Sequence, residues 1–205
     1  KVIYVVHIDK KVDMEQLKKS GASVLAFVTT GNVKVGAKGA EYIIGKLPEG
    51  GEVAIIEGKS GNASGEFRRQ GATEAFKADS KFKLVASQPT DWDRSKALDV
   101  AANLIQKYPN LKAIYACNDT MALGAVQAVA NAGKTGQILV VGTDGAPEAR
   151  TSIDEGKLNA TVAQDPAMIG ATSLKILIEA IKDKPQISPD IEAKEVPVES
   201  NLISK

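Results

Sequence analysis

The chain has 205 residues, of which 43% are hydrophobic and 25% charged, with a formal net charge of +1. That length and balance suit one large α/β domain, or one domain with part of a second, of ordinary globular composition. No apolar run approaches the ~20 residues of a membrane span, and the scattered charges form no basic face that would argue for a nucleic-acid partner.

Residues 2–8 are a continuous apolar run of strand length whose polar exit is His7-Ile8-Asp9-Lys10. Residues 14–19 allow only a short helix or a loop. Residues 23–30 read as the next strand. Asn32 then serves as N-cap of an amphipathic helix carrying Val35, Ala40, Ile43, Ile44 and Leu47, closed by Pro48-Glu-Gly-Gly51. From there the alternation is regular: a strand over 52–57, a small-residue loop over 58–65, a helix over 66–78, a strand over 82–87, and a helix over 93–108 with Asp93 as its cap. Residues 113–117 have the pattern of a strand buried on both faces. The run breaks at Asn118-Asp119, two good caps, before a helix through Met121, Leu123, Val126 and Val129; Asp119 is the stronger candidate for a purely capping role. A strand over 137–142, a turn Thr143-Asp-Gly-Ala-Pro147, a helix to about residue 155 and a strand over 158–163 follow. Pro166 opens a long helix over 167–181, and a linker over 185–189 leads to a last extended segment, 195–203. Strands alternating with helices predict βαβ units and a mostly parallel sheet with right-handed crossovers.

Parallel strands carry their carboxyl ends to one edge, where ligands of open α/β sheets bind. The residues expected there are Asp9, Lys10, the Gly61-Asn-Ala-Ser64 loop with Arg68-Arg69, Asp91-Trp92-Asp93, Asn118-Asp119, Asp144 and Gln164. Carboxylates, amides, an arginine fork and one indole suit a neutral polyhydroxylated ring, that is, a sugar. Simpler roles compete: one of the two arginines as a surface residue, Trp92 as a rim core residue, Asp144-Gly145 as a bare turn. Catalytic readings find little. His7 is the only histidine and Cys117 the only cysteine, so a histidine triad, a disulfide and a Cys-rich metal site are all disfavoured. Gly58, Gly61 and Gly65 do not make G-x-G-x-x-G, and Gly58-Lys-Ser60 lacks the earlier glycine of a P-loop. No cofactor is expected.

Four runs carry a specific resemblance: Ala-Cys-Asn-Asp-Thr-Met-Ala-Leu-Gly, Val-Val-Gly-Thr-Asp-Gly, Ala-Ser-Gln-Pro-Thr-Asp-Trp-Asp-Arg and Thr-Val-Ala-Gln-Asp-Pro. Together they resemble the signature runs of ribose-type periplasmic binding proteins over essentially the whole chain. The resemblance implies a periplasmic binding protein-like, three-layer αβα fold whose two lobes close by hinge motion on a monosaccharide of the D-allose or D-ribose type. It also implies a periplasmic location, an ABC transporter permease as partner with a chemoreceptor as a further one, and no enzymatic activity. By position it assigns the sugar contacts to Asp9, Lys10, Arg68, Trp92, Asn118, Asp144 and Gln164. Lys10 stands where the family varies, which bears on the identity of the sugar.

The family's long first portion has no counterpart here, so the chain is expected to be truncated, and to bind sugar weakly or not at all on its own. Residues 1–22 then read as a remnant of the amino-terminal lobe with a first hinge crossing, and 23–164 as the complete carboxyl-terminal lobe. Residues 165–189 are a returning amino-lobe segment and 190–205 a final crossing with a carboxyl-lobe segment. The apolar run over 2–8 is expected to be a self-association patch. Two other readings share parts of this pattern. One is the effector-binding core of a LacI-type transcription regulator, which needs a helix-turn-helix not found in this sequence; the other is a Rossmann-type or sugar-modifying enzyme, for which the phosphate loop is missing.

Overall fold

The computed structural model describes residues 3–9 and 13–205. In chain order its elements are β1 (Val6–Ile8), α1 (Met14–Lys19), β2 (Ala26–Thr30), α2 (Asn32–Lys46), β3 (Gly51–Glu57), α3 (Ala63–Ala78), β4 (Phe82–Pro89), α4 (Arg94–Lys107), β5 (Leu111–Ala116), α5 (Asp119–Asn131), β6 (Leu139–Asp144), α6 (Pro147–Asp154), β7 (Ala160–Ala163), α7 (Pro166–Asp183), β8 (Lys194–Val198) and β9 (Asn201–Ser204). They form two compact units: unit 1 takes Lys1–Gly31 and Asp165–Glu199, and unit 2 takes Asn32–Gln164 and Ser200–Lys205.

Unit 2 is built on a six-stranded sheet of order β4-β3-β5-β6-β7-β9. Every pairing is parallel except that of β7 with β9. The inner strands are continuous apolar runs because both of their faces are covered: Val53 to Ile56 of β3 and Ala113 to Ala116 of β5 are wholly buried. β3 sends one crossover to β4 on one side, while β4 returns past β3 to β5 on the other. Right-handed crossovers in opposite directions place α3 and α4 on opposite faces, giving three layers. α2 packs with α3, and α4 with α5. The core between the layers includes Ile55, Ile56, Ile114, Tyr115, Phe76 and Met121.

The α2–α3 contact is backbone against backbone. A Cβ at Gly36 would strike the Arg68 carbonyl oxygen, and one at Gly71 would strike that of Val33. Only glycine at both positions lets the helices come this close, and Arg68 lies inside the contact.

Unit 1 holds a three-stranded parallel sheet, β1-β2-β8, with α7 packed on β1 and β2 around Val28, Ile169 and Val198. This corrects the expected division. Residues 23–30 were assigned to the larger lobe, but Ala26–Thr30 pairs in register with Val6–Ile8 and with Lys194–Val198, so the boundary falls after Gly31. The last extended segment also divides. Its first half lies in the sheet of unit 1, and Asn201–Ser204 runs antiparallel to β7 in unit 2. Strand partners are long-range choices, and the local apolar pattern is the same whichever sheet is joined.

Candidate functional site at the carboxyl ends of the unit 2 strands

The reversal of strand order at β3 and β5 creates a switch point, and the chain leaves the sheet there in polar residues. β3 exits into Gly58, β4 into Thr90-Asp91-Trp92, β5 into Cys117-Asn118, β6 ends at Asp144, and β7 exits into Gln164.

Arg68 organises this rim. It sits on α3, whose cap Asn62 accepts from Gly65 N at 3.1 Å. Only 6% of Arg68 is exposed. Its Nε donates to Asn32 Oδ1 at 2.8 Å, and its Nη1 donates to the Cys117 carbonyl at 2.9 Å and to Asp144 Oδ1 at 3.1 Å. The guanidinium therefore ties α2, β5 and β6 together at one point. Arg69, the neighbour weighed against it, is half-buried and pairs with Glu66 at 2.9 Å.

Asp144 Oδ1 also accepts from Gln164 Nε2 at 2.6 Å. Its side chain remains 34% exposed, so the carboxylate is gripped from behind and still faces outward. Burial pushes its pKa up, against the lowering pull of the Arg68 charge and of the Gln164 and Arg68 hydrogen bonds. The backbone there is strained. Asp144 has φ 123°, a conformation that L-residues rarely adopt and that costs about 1–3 kcal/mol.

Trp92 occupies the β4–α4 turn, where Asp91 and Trp92 both have positive φ, 56° and 65°. The left-handed pair turns the indole back over the switch point. Gly58 and Gly65 lie under its ring, and a Cβ at either would meet ring carbons. The ring is half-buried and packs against the main core, which bears out the rim-core reading of Trp92.

Asn118 proves to be the N-cap of α5, accepting from Met121 N at 2.8 Å. This corrects the assignment of the capping role to Asp119. One cap oxygen serves the helix, and the Asn118 amide nitrogen is left as a donor at the rim. Asp119 is buried; Thr161 Oγ1 donates to its Oδ1 at 2.7 Å and Ala146 N to its Oδ2 at 2.7 Å. Burial pushes its pKa up to about 6.

Five of the seven expected residues, Arg68, Trp92, Asn118, Asp144 and Gln164, thus share one edge of unit 2. Asp9 belongs to unit 1, at the exit of β1, where it is exposed with φ 65° and its carbonyl accepts from Thr29 Oγ1 at 3.2 Å. Lys10 lies outside the described residues. Sequence reasoning missed Asn32, which it took for a helix cap and which instead seats Arg68. The available signal was its place directly after the polar exit of β2. Cys117 is no nucleophile: its thiol is buried, pushed up to about 12 by that burial, and lies 3.9 Å from the Gly65 carbonyl. Among the described residues no group of three His, Cys, Asp or Glu gathers to hold a metal ion, and no helix is long and apolar enough to cross a membrane.

A doubly wound sheet whose switch point opens on hydrogen-bonding groups and one indole defines an α/β domain for small polar ligands. More narrowly, the chain belongs to the periplasmic binding protein domain family, whose profile matches residues 1–185. It is 63% identical to the D-allose-binding periplasmic protein of Escherichia coli over 206 aligned residues, covering 100% of this chain and 66% of that protein. To the E. coli ribose import binding protein RbsB it is 37% identical, over 89% of this chain and 59% of the relative. Among solved structures, a periplasmic solute-binding protein from Actinobacillus succinogenes with bound D-allose superposes with a TM-score of 0.84 at 33% identity, covering 97% of this chain and 67% of that one. The chain thus spans about two thirds or less of the length of the curated relatives it matches.

Proposed function

We propose that this chain is the sugar-binding part of a periplasmic solute-binding protein that delivers a monosaccharide of the D-allose or D-ribose type to an ABC importer, and that it binds its ligand without turnover. The observation that carries the reading is the outward-facing Asp144 carboxylate, held by Arg68 and Gln164 on the same rim as the half-buried Trp92. A fixed carboxylate accepts from sugar hydroxyls, the amides of Asn118 and Gln164 donate and accept, and an indole covers the C–H face of the ring. Preorganised by the protein's own hydrogen bonds, these groups lose little freedom on binding. The names of the relatives, import and sugar-binding proteins, support transport over the regulator alternative. Asp9 and Lys10 enter as sugar contacts through the resemblance alone.

Trp92 is the only tryptophan, so its fluorescence reports on this rim without labelling. Titration with D-allose and D-ribose, followed by that signal and by calorimetry, should saturate. Asp144→Asn and Arg68→Met should each weaken binding about 10- to 100-fold, equivalent to roughly 1.4–2.8 kcal/mol. No saturable signal with either sugar up to high millimolar concentration, or identical affinity in wild type and both variants, would refute the proposal.

A further inference from the structure

We propose that Asp119 and Thr161 are a positioning pair that fixes the orientation in which Asp144 meets the sugar; this rests on the sugar-binding reading above. The two residues meet through their side chains, coming from α5 and β7. Between them they collect the backbone that follows Asp144. Gly145 N donates to Thr161 Oγ1 at 3.1 Å, Thr161 Oγ1 donates to Asp119 Oδ1 at 2.7 Å, and Ala146 N donates to Asp119 Oδ2 at 2.7 Å. Arg68 and Gln164 hold the side chain of Asp144, and this pair holds the two peptides that follow it, next to its φ of 123°. A strained residue keeps its conformation only where the surroundings over-determine it.

Asp119 is also an expensive choice for a purely structural link. It is 1% exposed, and the groups that bear most on its ionisation, Thr161, Asp144 and the backbone at Ala146 and Gly145, include no cation. The sheet makes room for it, since a Cβ at Gly142 would strike its Oδ1. A carboxylate is suited to the place because it only accepts, and two donors reach it, one at each oxygen. The hydroxyl of Thr161 completes the relay by accepting and donating at once.

The test is a double-mutant cycle. Thr161→Val removes the hydroxyl at nearly constant volume, and Thr161→Ser keeps it. Affinity for D-allose and D-ribose should fall about tenfold in Thr161→Val, the cost of a lost hydrogen bond to a charged group, and stay near wild type in Thr161→Ser. In an Asp144→Ala background Thr161→Val should add less than about twofold, because its effect passes through Asp144. Wild-type affinity in folded Thr161→Val, or an undiminished loss in the Asp144→Ala background, overturns the proposal. If Asp144→Ala binds sugar as wild type does, the sugar-binding reading fails and this inference with it. If only Thr161→Val is silent, this inference falls alone. A second measurement needs no sugar. The NMR titration of the Asp144 carboxyl should move in Thr161→Val and in Asp119→Asn and stay put in Thr161→Ser; an unmoved titration in both of the first two overturns the proposal. Should Thr161→Val not fold, Asp119→Asn carries the same cycle.

Discussion

Unit 2 and unit 1 use the same kind of sequence to different effect. In unit 2 the apolar runs of β3, β5, β6 and β7 are covered on both faces, and residues such as Ile55, Ile56 and Tyr115 are fully buried. Among the described residues of unit 1 the buried cluster is Val28, Ile169 and Val198, with Val6, Ile176 and Val196 beside it. Helix α7 there carries apolar residues beyond its buried face, and Leu174, Ile178 and Ile181 remain exposed along one stripe. A three-stranded sheet can cover one face of such a helix and no more. The comparison teaches where precision comes from. A rim that must hold five side chains in fixed relation stands on the deep core, whose packing leaves the strand ends little freedom.

The largest effect that would sharpen the contrast is a core deletion in each unit. Ile56→Ala should lower the unfolding free energy by about 4 kcal/mol, and Ile169→Ala, in the thinner core, by about 2 kcal/mol. Urea melts followed by Trp92 fluorescence and by circular dichroism measure both, and equal losses would break the comparison. Next comes the acid side. The Asp119 carboxyl goes from an ordinary 3.8 to about 6 on folding, so the folded chain holds that proton more tightly than the unfolded one. Stability should therefore fall as pH rises from about 4 to about 6 and level off above, by up to about 3 kcal/mol at 1.36 kcal/mol per pKa unit. Burial raises the Asp144 pKa too and adds slope of the same sign. Asp119→Asn should flatten most of this profile in urea midpoints taken across that range. Gly58→Ala should cost about 1–3 kcal/mol by overpacking against the indole, and should shift the Trp92 emission. The smallest change belongs to unit 1, where Leu174→Gln on the exposed stripe should move the melting free energy by no more than about 0.5 kcal/mol.

Much of the rim was legible in the sequence because strand ends are local signals. The breaks at Trp92, Asn118, Asp144 and Gln164 each follow an apolar run, and parallel strands must deliver them to one edge. Capping chemistry was half legible: Asp93 caps α4 as read, whereas Asn118 takes the cap for which Asp119 was the stronger candidate, and Asp119 is buried against Thr161 and Ala146. Both are good caps, and what decides between them is Thr161, far along the chain. The same reason hid the place of β2. Its apolar and β-branched run says strand, and only its partners β1 and β8 say which sheet. The hydrogen bond from Arg68 to Asn32 was invisible for want of any local pattern linking residues on two helices.

The glycines at 36 and 71 interlock two helices by their main chains, and the arginine that organises the rim rides on one of them. How far its guanidinium reaches is therefore governed by two positions that carry no side chain and touch no ligand. Anyone redesigning this rim would do well to leave that seam alone. Substitutions there would shift the rim at a distance, and a screen confined to the rim's own side chains would never find them.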